Sequence, residues 1–319
     1  MQLWPYKQTA DTIQENFNLA DKLSSEFTTI CKKLAIAEGL TPYLSSLYVP
    51  LARRLHTKHH HLNDTLVVGI NGAQGSGKST LSELLSYTLR KGFGLNVAIL
   101  SIDDIYKTRQ QRGQMAIDLH PLFKTRGVPG THDTQLGIQI IKRCKSLKEG
   151  ALFAYPVFDK GKDERQPKDA WPNVQGKIDI LLFEGWCVGA HPQKDIDIKT
   201  AVNLLEENED RECVWRSAVN EYLKADYKKL FDLIDCLLFL KIPSFDSIIK
   251  WRGLQEDKLI KQGKKERHLM TTNKKLQRFI DHYERLTRFQ LDDLPQRADL
   301  IFELGFDHQV KRILKSKKA

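Results

Sequence analysis

Cysteine is scarce and scattered in this chain. Cys31, Cys144, Cys187, Cys213 and Cys236 are odd in number, far apart and never in a C-x-x-C pair. That excludes a disulfide framework and a cysteine-based zinc site, and predicts a reduced, cytoplasmic protein. No apolar run approaches the roughly 20 residues of a membrane-spanning helix. Met1 to Tyr6 offers neither a basic nor an apolar leader segment, so neither secretion nor a membrane partner is expected. Acidic residues are outnumbered, with 40 Asp and Glu against 50 Lys and Arg for a net charge of +10. A basic balance suits a polyanion, either ATP with an acidic substrate or nucleic acid. The chain shows no module of stacking aromatics interleaved with basic residues, as single-strand binders use, which disfavours nucleic acid as a partner. Internal repeats are also missing.

What is present is organised around Gly72-Ala73-Gln74-Gly75-Ser76-Gly77-Lys78-Ser79-Thr80, which satisfies G-x-x-x-x-G-K-[ST] in full. An apolar β-type run from Thr65 to Ile70 precedes it and a helical pattern follows, the context that a phosphate loop requires. Glycines let successive backbone N–H groups close on phosphates, and the following helix adds its positive dipole end. Lys78 is expected to reach the β- and γ-phosphates of ATP, and the Ser79 hydroxyl to ligate Mg²⁺.

With 41% hydrophobic residues, 319 residues can bury a sizeable core. Apolar residues from Ile13 to Leu34 recur at helical steps, with Asp11 near the N-cap, and Leu44 to Leu55 repeat the pattern. Residues 1–63 are therefore read as an N-terminal helical appendage, and 64–319 as the main domain. Within the latter, runs at Val97–Ile102, Ile178–Phe183, Cys236–Leu240 and Leu300–Leu304 alternate with helical segments. One of these helices is expected from about Lys199 to Phe231, and another through Leu276 to Leu286. Continuous apolar strands alternating with helices predict an α/β fold, a parallel sheet covered on both faces. The tract His59-His60-His61, with His56 a turn earlier, is read as a solvated linker in preference to a metal site.

Ligands of such sheets bind at the carboxyl ends of the strands. Here those ends carry the phosphate loop, Asp103-Asp104 and Glu184. Phosphoryl transfer to a hydroxyl needs the hydroxyl held in line and a carboxylate to take its proton. Asp103 is the candidate base, with Asp104 a companion that caps a turn. Glu184 closes an apolar strand as a Walker B acid does, and is expected to hold Mg²⁺, with the role of base as its alternative. By composition alone, Arg126, His132 and Asp133 mark a turn and an N-cap, and Lys160 to Arg165 a solvated surface. Arg278, His282 and Arg285 share one helix face, which suits either solvent or a basic lid over phosphates together with Lys261, Lys264, Lys265 and Arg267.

Six motifs in order give the chain a family resemblance. V-G-I-N-G-A-Q-G-S-G-K-S-T is followed by S-I-D-D-x-Y at Ser101 to Tyr106 and R-G-x-P-G-T-H-D at Arg126 to Asp133. F-D-K at Phe158 to Lys160, E-G-W at Glu184 to Trp186 and W-R-x-x-Q-E at Trp251 to Glu256 complete the set. Together they resemble the D-glycerate 3-kinase family, P-loop kinases related to phosphoribulokinase, uridine kinase and pantothenate kinase. The resemblance implies an ATP- and Mg²⁺-dependent kinase acting on a hydroxyl of a small hydroxy acid. It implies that Asp103 is catalytic together with Lys78 and Glu184 and that Ser79 and Glu184 hold the metal, while the lid reading of the basic link makes Arg267 a candidate for the nucleotide site. It also implies an acceptor site from Asp103, Tyr106, Arg126, His132, Asp133, Lys160, Arg165 and Arg252. Ile105 stands where the family usually has an aromatic residue, so the acceptor stays open, with a nucleoside or pantothenate as alternatives. A nucleic-acid-stimulated ATPase is the rival from another class.

Overall fold

Five of the apolar runs form the parallel strands expected of them. The computed structural model describes residues 3–34, 36, 40–249, 251 and 273–316. The central sheet contains β1 (Leu66–Gly72), β2 (Val97–Ser101), β3 (Ile180–Gly185), β4 (Cys236–Lys241), β5 (Leu300–Leu304) and β6 (Val310–Leu314), in the spatial order β6-β5-β4-β1-β3-β2. Only β6, at one edge, runs antiparallel, beside β5. It was not expected from the sequence, where its adjacent Lys311 and Arg312 look like part of a basic tail. On an edge strand such residues face water and discourage pairing with another chain.

Strand side chains alternate between two cores, as the two-residue pleat demands. Leu66, Val68, Ile70, Ile180 and Leu182 point to one face and pack with Phe27, Leu51 and Leu84. Those partners come from α1 (Ala10–Lys33), α2 (Val49–Leu62) and α3 (Lys78–Phe93). Val67, Leu181 and Phe183 point to the other face, against Ile140 and Ile141 of α4 (Thr134–Ser146) and Leu286 of α5 (Asn273–Asp293). Helices 10–33 and 49–62 thus share a core with the sheet, and the Tyr87 hydroxyl donates to Leu23 O at 3.0 Å across that seam. No helix among the described residues is long and apolar enough to cross a membrane.

Two expectations change. The single helix from Lys199 to Phe231 is instead two short helices, Leu204–Glu209 and Val214–Tyr222, continued by helical turns to Phe231. The break is made by Asp210, which caps Trp215 N at 2.7 Å and Arg216 N at 3.1 Å, and by Cys213 at φ 60°, with no Gly or Pro to announce it. The histidine tract is not a linker. It closes α2, where buried His59 meets Asp64 O through Nδ1 at 3.0 Å and Asp179 through Nε2 at 3.4 Å.

Candidate active site

The carboxyl edge of the sheet gathers three chain segments by register. Glu184 on β3 pairs with Ile70 on β1 and with Ser101 on β2, so the acid lies between the strand that feeds the phosphate loop and the strand that feeds Asp103. The Ser79 hydroxyl, in the first turn of α3, donates to Glu184 Oε1 at 3.0 Å. A hydroxyl and a carboxylate held together at a helix start form the hard-oxygen pair that suits Mg²⁺. Gly75 and Gly77 both take positive φ, which opens the loop around its own amides. Inside it, both amide atoms of Gln74 and the Ser76 hydroxyl are buried and have no hydrogen-bond partner among the described residues. Native proteins seldom leave such groups unpaired, and a cradle for phosphate oxygens accounts for them. These features fit a nucleotide and its metal. Lys78 Nζ donates to Ala73 O at 3.2 Å. Burial pushes the Lys78 ammonium pKa down, while Glu184 and Asp103 pull it back up.

Asp103 follows β2 on a single 3₁₀ turn, Ile102–Ile105. Its two carboxylate oxygens are separately engaged, Oδ1 by the Tyr106 hydroxyl at 2.8 Å and Oδ2 by Lys160 Nζ at 2.6 Å. Burial works to raise the Asp103 pKa, but the Lys160 charge and hydrogen bond, aided by Tyr106, hold the carboxyl well below the usual range. Asp103 is thus ionised and ready to accept. Asp104 turns away, and its Oδ1 accepts the Phe158 N–H at 3.1 Å. Burial raises its pKa to about 6. Adjacent carboxylates are therefore sorted by their surroundings.

Lys160 and Arg165 belong to a hairpin of two short strands, Phe158–Asp159 and Glu164–Arg165, and so are not a featureless solvated stretch. Arg165 donates to Tyr106 O at 2.8 Å and reaches Asp133 Oδ2 at 3.5 Å. Arg126 pairs with Asp163 and donates to Lys160 O at 3.2 Å. Asp133 caps α4, accepting from Leu136 N at 3.0 Å. The loop carrying Arg126, His132 and Asp133 is tied to the Asp103 turn by Lys107 N to Thr131 O at 2.9 Å and Asp133 N to Ile105 O at 2.7 Å. Gly127 and Gly130 are required there. Their φ values are +139° and +104°, and a Cβ would lie 2.1 Å from the Tyr283 hydroxyl or 2.6 Å from the Tyr222 ring.

The structure therefore assembles Lys78, Ser79, Asp103, Tyr106, Arg126, His132, Asp133, Lys160, Arg165 and Glu184 around one end of the sheet. Arg252 and Arg267 lie outside the described residues, but Trp251 of the same W-R motif packs its Cβ against Gly75. The basic face of α5 is held in ion pairs rather than left as a free solvated face, Arg278 staying half exposed, while Lys261, Lys264, Lys265 and Arg267, the rest of the expected lid, lie outside the described residues. Arg278 pairs with Glu209, Arg285 reaches Glu206 Oε2 at 2.6 Å, and buried His282 meets Arg278 O at 2.7 Å.

Sequence reasoning missed Arg112, only 1% exposed, on the helix Arg109–Asp118. It donates to Lys107 O at 3.1 Å and Lys124 O at 3.0 Å, and pairs with Asp163 Oδ2 at 2.9 Å, so it pins the floor under Arg126. Its helix is polar nearly all round, which leaves no periodic signal. Tyr227, from the run read as plain helix, was also missed.

No family model matches the chain. Over 226 residues, 69% of this chain, it is 28% identical to the chloroplastic D-glycerate 3-kinase of Arabidopsis thaliana, of which the match spans 47%. It is 29% identical over 242 residues to an uncharacterized kinase of Schizosaccharomyces pombe, covering 73% of this chain and 84% of the relative. Among solved structures, D-glycerate 3-kinase from Cryptococcus neoformans superposes with a TM-score of 0.72 at 24% identity, covering 84% of this chain and 97% of that one, a likeness of fold. The resemblance carried by the six motifs recurs in these comparisons: the chain is similar in sequence to D-glycerate 3-kinase and to an uncharacterized kinase, and has the P-loop kinase fold.

Proposed function

We propose that this protein transfers the γ-phosphoryl group of ATP to a hydroxyl of a small hydroxy acid, with D-glycerate the favoured acceptor, in the cytoplasm. The observation that carries the reading is the juxtaposition at one sheet edge of an ionised Asp103 held by Lys160 at 2.6 Å, with Arg126 and Arg165 at its rim, beside the phosphate loop. Lys78 is in electrostatic reach of Glu184, Asp103 and Lys160, so the two halves act as one charge cluster.

In this reading Asp103 orients the acceptor hydroxyl and takes its proton as the phosphoryl group moves, and Lys160 keeps that carboxylate ionised. Lys78 and the loop amides hold the transferring phosphate and meet the charge that develops on it. Ser79 and Glu184 would hold Mg²⁺, which supplies charge neutralisation on the phosphates when bound. Arg126 and Arg165 supply forked donors for the carboxylate of a hydroxy acid. Both already pair with Asp163 and Asp133, so the acceptor enters by exchange of partners.

The test is ADP release from Mg·ATP against a panel of D-glycerate, other small hydroxy acids, nucleosides, pantothenate, DNA and RNA. Stimulation by D-glycerate, with a doubly charged phosphate ester as product, is expected. Strong stimulation by nucleic acid, or by a nucleoside and no hydroxy acid, overturns the assignment.

A further inference from the structure

His132 lies in the acceptor loop, buried, with its ring stacked on Tyr106 at 4.4 Å between centroids and 19° between planes. The Tyr106 hydroxyl in turn donates to Asp103. Backbone pairing fixes this arrangement, because Tyr106 and His132 form an antiparallel bridge. The remaining neighbour is Tyr227, 0% exposed, which reaches the loop from the helical turns that follow Tyr222. Its hydroxyl oxygen is 3.0 Å from Gly130 N, 3.3 Å from His132 N and 2.5 Å from His132 Nδ1.

A phenol has one proton to give and two lone pairs to receive with. The two backbone N–H groups can only donate, so they take the lone pairs. The single O–H of Tyr227 is left for His132 Nδ1, which must therefore accept. A neutral imidazole that accepts at Nδ1 carries its proton at Nε2. Burial keeps the ring neutral, pushing its pKa down to about 3 against the pull of Asp103, with Lys107 adding to the depression. Yet Nε2 is buried and has no hydrogen-bond partner among the described residues. A buried N–H left unpaired carries a standing cost, which the fold accepts in this loop.

We infer that Tyr227 is a positioning residue that locks His132 as the Nε2–H tautomer, and that this N–H is a donor for an oxygen of the acceptor molecule. The inference rests on the kinase reading for its second half only. Tyr227 acts through His132 and through the backbone of Gly130, and so sets acceptor binding without touching the nucleotide.

The tautomer is tested on the free wild-type protein by ¹⁵N NMR of its histidines near neutral pH, with His132→Gln to assign the resonances. A protonated, pyrrole-type Nε2 and a pyridine-type Nδ1 are expected for His132. A proton on Nδ1, or a charged ring, overturns the inference and leaves the kinase reading standing. Addition of D-glycerate with Mg·ADP should then shift the His132 Nε2–H resonance, and turnover of D-glycerate without such a shift sinks the donor role. In kinetics, Tyr227→Phe and His132→Ala should each raise the acceptor KM about tenfold or more, the loss of one buried hydrogen bond, with little change in the KM for ATP. The double variant should cost clearly less than the product of the two single effects, since Tyr227 works in large part through the His132 ring. Multiplying effects would show Tyr227 to be merely structural. Failure of every acceptor to be phosphorylated would sink the kinase reading, while the tautomer measurement would still decide the first half.

Discussion

The phosphate loop and the acceptor pocket lie at the same sheet edge but are built on opposite plans. The loop is a contiguous strand, turn and helix in which, among the described residues, the side chains of Gln74 and Ser76 have no partner and Lys78 hydrogen-bonds a single carbonyl. The proposed acceptor side is drawn from segments some 30 to 60 residues apart, and its charges are already compensated: Lys160 by Asp103, Arg165 by Asp133, and both Arg112 and Arg126 by Asp163. An open cradle binds by gaining hydrogen bonds. A compensated pocket binds by trading them, so it rejects any molecule whose charges do not replace the ones displaced.

The sharpest way to break this contrast is Lys78→Ala. It removes the side-chain cation of the open half, and turnover should fall by about a thousandfold or more, with circular dichroism unchanged. Near-normal kcat would refute the role assigned to the loop. Asp103→Asn strikes the compensated half. It should cost on the order of a hundredfold in kcat with little change in the KM for Mg·ATP, because the carboxylate acts as the proton moves.

Glu184→Gln should be distinguishable from it by titration, with a higher Mg²⁺ concentration needed for half-maximal rate and partial recovery in excess Mg²⁺. If Asp103→Asn is the variant that excess Mg²⁺ rescues, the two roles are reversed. Arg112→Met probes compensation itself. It should cost about 2 kcal/mol by urea denaturation, because a fully buried side chain loses its hydrogen bonds to Lys107 O and Lys124 O, and raise the acceptor KM more than that of ATP. Equal effects on both substrates would deny that Arg112 serves the pocket.

The smallest effect concerns pH. Asp104 has its pKa raised from 3.8 to about 6 by burial, so folding favours the protonated form. Its contribution to stability is full below about pH 4 and lost as pH rises through about 6. Asp104→Asn should flatten this part of the stability profile, and an unaltered slope between pH 4 and 6 would show that the carboxyl titrates normally.

The same contrast explains what the sequence revealed. The phosphate loop, Ser79 and the strand-end acids Asp103 and Glu184 were legible because a strand, a turn and a helix repeat in fixed spacing. The sheet was legible because apolar runs of five or six residues alternate with helical periods. The meeting of Lys160 with Asp103 spans 57 residues, and no local pattern encodes it. It was reached only through a family resemblance. Arg112 was invisible because it is a buried cation on a polar helix, and Asp163 because its left-handed φ of 54° sits in a run of charges. The α5 face misled for a related reason: Arg278 and Arg285 look unpaired until Glu209 and Glu206, some 70 to 80 residues earlier in the chain, are folded against them.

The register of β3 has a consequence in time. Glu184 is flanked by Ile70 on one side and Ser101 on the other, in the interior of the sheet, whereas Asp103 sits two residues past its strand on one 3₁₀ turn. Amide hydrogen exchange at Phe183 and Glu184 should therefore require opening of the whole sheet, while the amides from Asp103 to Tyr106 exchange through local fluctuations. The backbone beneath Glu184 is thus clamped by strands on both sides, whereas that beneath Asp103 is held by one turn and by the bonds its carboxylate makes to Tyr106 and Lys160.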